Sequence, residues 1–372
     1  MAVPPDRKSY PQHNADVREV CTKQFRRQVL YLNGLQKRRD EQAYTPFTIE
    51  HSDRLQFNAI LWPRPNSAFA ACFYDGCGLS MSELACLLCE RRDFLGFVAR
   101  PFVHHHTPRY FVVHDYSWLS DPDQPQRALQ YPRPEHVSLF DHVTELCTRF
   151  LYWHESAHLQ LGHVQKATTL GATELAEQRL HPHPVASAQL RKWEMEADMF
   201  AMFGLLRAGR DEQFRQTAHL HTSGLLQWDC TVLAACAIMC AIFELSESAQ
   251  KTPANERTHP RAAARFLNLL LRYVRFVEEG LVHREPGPKS GYYTYLWSQV
   301  LSTVAEIRLL TGATATQYDD LKGTLLKAAE GAQLTDTALE CIECGEWRIV
   351  PGGGEAVPVL IPHAFAKPHA IF

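Results

Sequence analysis

V-S-L-F-D-H-V-T-E-L-C-T-R-F-L-Y-W-H-E-S-A-H, residues 137–158, carries one pattern along its whole length. Val137, Leu139, Phe140, Val143, Leu146, Phe150 and Leu151 recur at three- and four-residue intervals, which predicts an amphipathic helix. That helix ends in His154-Glu155-Ser156-Ala157-His158. Residues four apart lie about 40° apart around a helix axis, so His154 and His158 project from one face. Two imidazole nitrogens from that face can hold one Zn²⁺ at about 2.0–2.1 Å. Glu155 points to the side of the pair, where its carboxylate can act as general base toward a Zn-activated water.

Zinc needs a third protein ligand, and a catalytic site keeps its fourth position open. The stretch L-Q-L-G-H, residues 159–163, follows directly. On a continuous helix His163 would lie about 140° from His158, so it is expected to be structural or to sit near the helix C-terminus. The better candidate lies in W-E-M-E-A-D-M-F-A, residues 193–201. Glu194, Ala197, Asp198 and Ala201 share one stripe of a helix, and the small alanines would let it pack closely on the His154 helix. Glu194 is then the expected third ligand. Asp198, one turn on, can accept the second ring N–H of a zinc-bound histidine and fix its tautomer. Glu196 lies about 160° from Asp198 and is not expected to be a ligand.

A third element is T-H-P-R-A-A-A-R-F, residues 258–266. Thr258 can cap a helix whose first turn holds Pro260. His259 at that terminus can donate to the oxyanion formed when water attacks a peptide carbonyl. Arg265, nearly two turns in, can orient a carboxylate of the site.

Taken in order, H-E-S-A-H, E-M-E-A-D and T-H-P-x-x-x-x-R resemble a family arrangement. It is that of gluzincin-type zinc peptidases whose third ligand lies in an E-x-x-A-D motif and whose later helix opens with H-P. Membrane-bound prenyl-protein proteases share it. The soluble Lit-type phage-exclusion peptidases are more similar still, including the Gly-His after the zinc helix. The resemblance covers roughly residues 140–270. It implies zinc on His154, His158 and Glu194, with Glu155 as catalytic base. It implies Asp198 as a support of the ligands, and His259 with Arg265 as supports of the transition state.

Outward from these motifs the chain divides into four regions. Residues 1–43 form an N-terminal helical segment, and 44–135 a small α/β sheet region. Residues 136–312 form a helical zinc peptidase core, followed over 313–372 by a helix near 316–331 and a loop-rich tail. Helices are expected over 136–163, 186–208, 219–246, 259–280 and 291–311. Strands are expected at Leu55–Trp62, Ala68–Tyr74 and Tyr110–His114, the last as an edge that aligns an extended substrate. Ser80–Arg91 reads as a helix capped by Ser80 or Ser82 with Glu83 following. The fold class is α+β: a small N-terminal mixed sheet, then a predominantly helical zincin-like core.

Composition bounds what this architecture serves. The 372 residues are 45% hydrophobic and 21% charged, with a formal charge of −3, so nothing in the bulk electrostatics asks for nucleic acid. Arg26, Arg27, Lys37, Arg38 and Arg39 are diluted by Asp16, Glu19, Asp40 and Glu41 and read as a solvated helix face. The start has no apolar leader pattern. The apolar run Thr231–Phe243, about 13 residues, is short for a bilayer and reads as a buried helix. Eleven cysteines without an export signal are expected as reduced thiols, and the chain as cytoplasmic. Cys86 and Cys89 read as core, and Cys341-x-x-Cys344 as half of a zinc knuckle.

The function these readings favour is a zinc-dependent endopeptidase acting on a cytosolic protein substrate, with a gating partner that restrains it. The Lit-like resemblance suggests phage defence or a stress response. The competing class is a non-catalytic zinc-stabilised scaffold or sensor for a protein partner, with His163 or His259 as fourth ligand.

Overall fold

The computed structural model describes residues 10–39, 47–65, 68–91, 94–95, 116–120, 127–176, 185, 187–208, 225–249, 262–278 and scattered positions from 296 to 310. The chain opens with α1 (Tyr10–Arg39), whose buried stripe Val17, Cys21, Phe25 and Val29 repeats every four residues. Arg26, whose side chain is still 39% exposed, sets its guanidinium on both carboxylate oxygens of buried Asp75 at 2.7 and 2.6 Å. One of the basic residues expected at the surface thus lies there and also forms a structural ion pair.

Three strands follow: β1 (Phe47–Ser52), β2 (Ala59–Pro63) and β3 (Phe69–Tyr74). A two-residue β4 (Leu175–Ala176) completes a mixed sheet of order β1-β3-β2-β4. β1 runs parallel to β3, and β2 antiparallel to both β3 and β4. Central β3, F-A-A-C-F-Y, is apolar on both faces, as a strand covered on both sides must be. Strand β1 is not expected from the sequence. T-I-E-H-S mixes polar and apolar residues on an edge where only Phe47 is fully buried. Strand β2 starts at Ala59 rather than Leu55 because the preceding backbone is committed elsewhere. Gly76 N–H donates to the Arg54 carbonyl, Tyr116 N–H to Leu55 and Tyr74 N–H to Asn58. The expected strand Tyr110–His114 lies outside the described residues.

Helix α2 (Asp75–Cys89) begins directly at the end of β3, five residues before its expected start. Tyr74 precedes it without a side-chain cap, and Ser80 and Ser82 are buried inside the helix rather than capping it. Glu83 serves another purpose, accepting from Tyr116 Oη at 2.9 Å and from both terminal nitrogens of Arg127. The early start needs two glycines. A Cβ on Gly76 would meet the Gln56 carbonyl oxygen at 2.0 Å, and one on Gly78 would meet Phe25 Cβ at 2.8 Å.

The remaining helices are α3 (Val137–Gln160), α4 (His163–Thr169), α5 (Ser187–Ala208), α6 (Leu225–Ala249) and α7 (Ala262–Glu278). Helices α3 and α5 pack against each other more extensively than any other pair of described elements. Helix α6 is apolar all round. Over Leu226–Ser246 it is long and apolar enough to cross a membrane, yet its most apolar stretch is wholly buried in the fold. Asp229 and Glu244 within it are buried too and bind the next helix. Tyr273 Oη donates to Asp229 at 2.6 Å, and the Ala262 N–H donates to Glu244 at 2.9 Å, capping α7. The expected helix over 291–311 contributes Val300, Val304, Ile307 and Leu310 to the same core. The expected helix 316–331 and Cys341 and Cys344 lie outside the described residues. Nine cysteines are free among those described, and Cys86 and Cys89 are core residues.

The architecture is α+β: a small mixed sheet near the N-terminus against a mainly helical body.

Candidate metal centre

Helix α3 brings His154 and His158 to one face, as their spacing requires, and α5 lays Glu194 across them. His154 Nε2 and His158 Nε2 are 3.2 Å apart. Glu194 Oε2 is 3.2 Å from His154 Nε2, and Oε1 is 3.7 Å from His158 Nε2. All three residues are buried, and together they can hold a metal ion. Alanines make the approach possible: Ala197 and Ala201 on α5 and Ala157 on α3 have no more than a trace of exposed surface.

Behind the two Nε2 atoms the supports differ. His154 Nδ1 lies 3.0 Å from Asp198 Oδ1. A carboxylate can only accept, so this contact puts the ring proton on Nδ1 and leaves Nε2 with its lone pair toward Glu194. Asp198 is in turn gripped by Arg265, whose Nε and Nη2 reach its two oxygens at 2.6 Å each. Arg265 also approaches Glu194, at 3.9 Å. Burial alone would push the Asp198 carboxyl up, but the Arg265 guanidinium and His154 outweigh it and hold it below the usual range. The same pairing keeps Arg265 charged despite complete burial.

The walls are aromatic. The His154 ring stacks on Phe150 and lies 5.4 Å from the Phe243 ring centroid. The Arg265 guanidinium lies over the Phe243 ring, 4.2 Å from its centroid. Phe243, on α6, therefore insulates His154 from bulk water and stacks with the cation that charges Asp198. Nothing in the local sequence around Phe243 distinguishes it from the rest of an apolar helix.

The helix carrying the histidines does not run on through His163. It stops at Gln160, and Gly162 takes a left-handed conformation, φ 73°, in which a side chain would be strained. The Leu161 and Gly162 N–H groups donate to the Ala157 and Leu159 carbonyls, closing the end. The chain then turns back, and α4 starts at His163. This break corrects the expectation of one helix over 136–163, and with it the 140° separation. His163 Nδ1 lies 3.1 Å from His158 Nδ1, and His163 Nε2 lies 3.0 Å from Glu196 Oε2. The ring stacks on Trp193 at 5.1 Å and 12°. Burial lowers the His163 imidazole below its ordinary range despite Glu196, while the His163 hydrogen bond lowers the Glu196 carboxyl. Glu196 was readable as pointing away from the Asp198 stripe, but its partner was not. The signal available was Gly162, a residue that ends helices and so redirects whatever follows.

Glu155, one residue after His154, is 3% exposed. His259, Thr258 and Pro260 lie outside the described residues; of that element, Ala262 binds Glu244 and Arg265 reaches the candidate site. Lower in the bundle, buried His142 sets its ring edge-to-face against Trp228, away from the cluster.

Residues 106–282 match the family model described as Peptidase U49, a span that contains α3 to α7 and every candidate residue above. The match supports a peptidase, and so a hydrolase. No curated protein and no solved structure matches the chain.

Proposed function

We propose that this chain is a zinc-dependent endopeptidase that cleaves a protein substrate. The observation that carries the reading is the convergence of three buried donor groups: His154 Nε2 is 3.2 Å from both His158 Nε2 and Glu194 Oε2, and the other Glu194 oxygen, Oε1, is 3.7 Å from His158 Nε2. A tetrahedral zinc with ligand bonds of about 2.0–2.1 Å holds its donors roughly 3.3–3.4 Å apart. Two imidazoles and one carboxylate are also the donor set of open, catalytic zinc sites. The orientation of His154 by Asp198 adds the outer carboxylate such sites use.

His163 is not a fourth ligand, because it meets the edge of the His158 ring remote from the other donors. Among the described residues the ligand group is therefore His154, His158 and Glu194, which favours an open fourth position over the closed site of a zinc-stabilised scaffold.

Bound there, the ion supplies Lewis acidity, polarising the scissile carbonyl and making water a competent nucleophile at neutral pH. Glu155 acts as general base, taking a proton from the attacking water and passing it to the leaving amine. Asp198 and Arg265 hold His154 in register, and the aromatic walls keep the field of these charges unscreened. His259 donates to the developing oxyanion, a role that rests on the motif order. The order of the three motifs also motivates the setting: a cytoplasmic host-protein substrate, a phage-defence or stress role, and a partner that gates activity.

The test compares cells expressing the wild type and Glu155→Gln by profiling protein N-termini. New termini in the wild type alone are expected, with the purified variant still retaining zinc. Identical termini in both would argue against a protease.

A further inference from the structure

Resting on the metal-site reading above, we infer that His163 and Glu196 are positioning residues that set the tautomer of His158 through a two-step hydrogen-bond chain. Three contacts carry it: His158 Nδ1 to His163 Nδ1 at 3.1 Å, His163 Nε2 to Glu196 Oε2 at 3.0 Å, and His163 stacked on Trp193. The direction of each bond follows from what the groups can do. A carboxylate carries no proton, so Glu196 accepts and His163 Nε2 donates. A neutral imidazole with its proton on Nε2 has a bare Nδ1, which accepts. His158 Nδ1 is therefore the donor, and His158 Nε2 is left with a lone pair.

The two histidines of the motif are thus fixed by different devices. Asp198 acts directly on His154, while Glu196 acts on His158 through an intervening ring. Each device ends with a bare Nε2. The 3.2 Å approach of the two Nε2 atoms is then not a hydrogen bond but two lone pairs facing Glu194. Such an arrangement is stabilised by a cation between the donors. The geometry also gives Gly162 a purpose: only the helix break lets a residue five positions on return to the ring of His158.

The chain predicts how zinc affinity responds two residues away from the ligands. Full-length protein stripped with a chelator is titrated with zinc in competition with a chromophoric chelator. His163→Phe keeps the stacking on Trp193 and removes both nitrogens, and is expected to weaken zinc binding by about 10- to 100-fold. Glu196→Ala is expected to weaken it less, in the same direction. The double variant binds no more weakly than His163→Phe, because both changes cut one chain. His163→Asn, whose Oδ1 falls near the position of the lost Nδ1, is expected to recover much of the loss, which a purely structural role would not produce.

Glu196 has a side chain 37% exposed, so its substitution leaves folding intact and carries the test if His163→Phe does not fold. Thermal unfolding of the zinc-free proteins checks this. Wild-type affinity in Glu196→Ala, or losses that add in the double variant, would overturn the inference. A wild type that binds no zinc would overturn the metal-site reading itself, a distinct result.

Discussion

Arg265 holds Asp198 by both oxygens, Nε to Oδ2 and Nη2 to Oδ1 at 2.6 Å each, and neither residue retains any exposed surface. A forked pair this deep joins α7 to α5, and through His154 to α3. It makes the site and the packing of three helices a single object.

Removing one member of such a pair leaves an uncompensated buried charge. Arg265→Ala is expected to destabilise the fold by about 3–5 kcal/mol. Arg265→Lys keeps the charge but not the fork, and should also lose fold stability and zinc affinity. Guanidinium unfolding gives the numbers, and a loss near zero for Arg265→Ala would mean the pair is not a keystone.

Zinc should stabilise the folded chain in proportion to its occupancy. At a free concentration one hundred times Kd the gain is about 2.7 kcal/mol. The midpoint of thermal unfolding should rise with zinc and fall back with a chelator. Glu194→Gln, which weakens one of the three donors, should lose most of that rise. A midpoint indifferent to zinc in the wild type would refute the assignment.

Two glycines in helices should respond in opposite directions. Gly76→Ala forces a methyl against the Gln56 and Leu55 carbonyl oxygens, at 2.0 and 2.6 Å, where the obstacle is backbone. A destabilisation at or above the about 1–3 kcal/mol typical of overpacking is expected. Gly34→Ala in α1 meets nothing within 4 Å and should stabilise by about 0.5–1 kcal/mol. Denaturation midpoints of the two variants decide the matter together.

Burial pushes the Cys21 thiol up to about 11 and the Cys230 thiol up to about 12, from an ordinary 9.0. The folded state therefore favours the neutral thiols. Their contribution is complete below pH 9 and is lost as pH rises through 9 to 11 for Cys21 and 9 to 12 for Cys230. Within that window each costs about 1.4 kcal/mol per pH unit. Stability measured at pH 7, 9 and 10.5 should fall less steeply for Cys21→Ala than for the wild type. Parallel profiles would contradict the assignment.

The legible part of this protein is local. The four-residue spacing of His154 and His158, and of Glu194 and Asp198, fixes which side chains share a helix face wherever the helices go. The apolar run 231–243 announces a buried helix, although the helix extends to Leu225 and Ala249. Where local signals conflict with distant partners, reading fails. Ser80 and Ser82 look like caps, but Gly76 and Gly78 let α2 start against the 54–56 backbone and Phe25, which no spacing reveals. Strand β1 has too little alternation to be seen, because an edge strand needs only Phe47 to be buried.

The sequence by itself determined the donors, their types and their faces, because helical periodicity is a property of neighbouring residues. The tertiary structure alone decided that Glu194 comes within 3.2 Å of His154, and that Arg265 grips Asp198 while lying over the Phe243 ring. It alone returned His163 to His158 with Glu196 behind it. Those relations join residues far apart in the chain, or separated by a helix break. Their distances are set by how α3, α5, α6 and α7 bury their apolar surfaces against one another, which no single segment encodes.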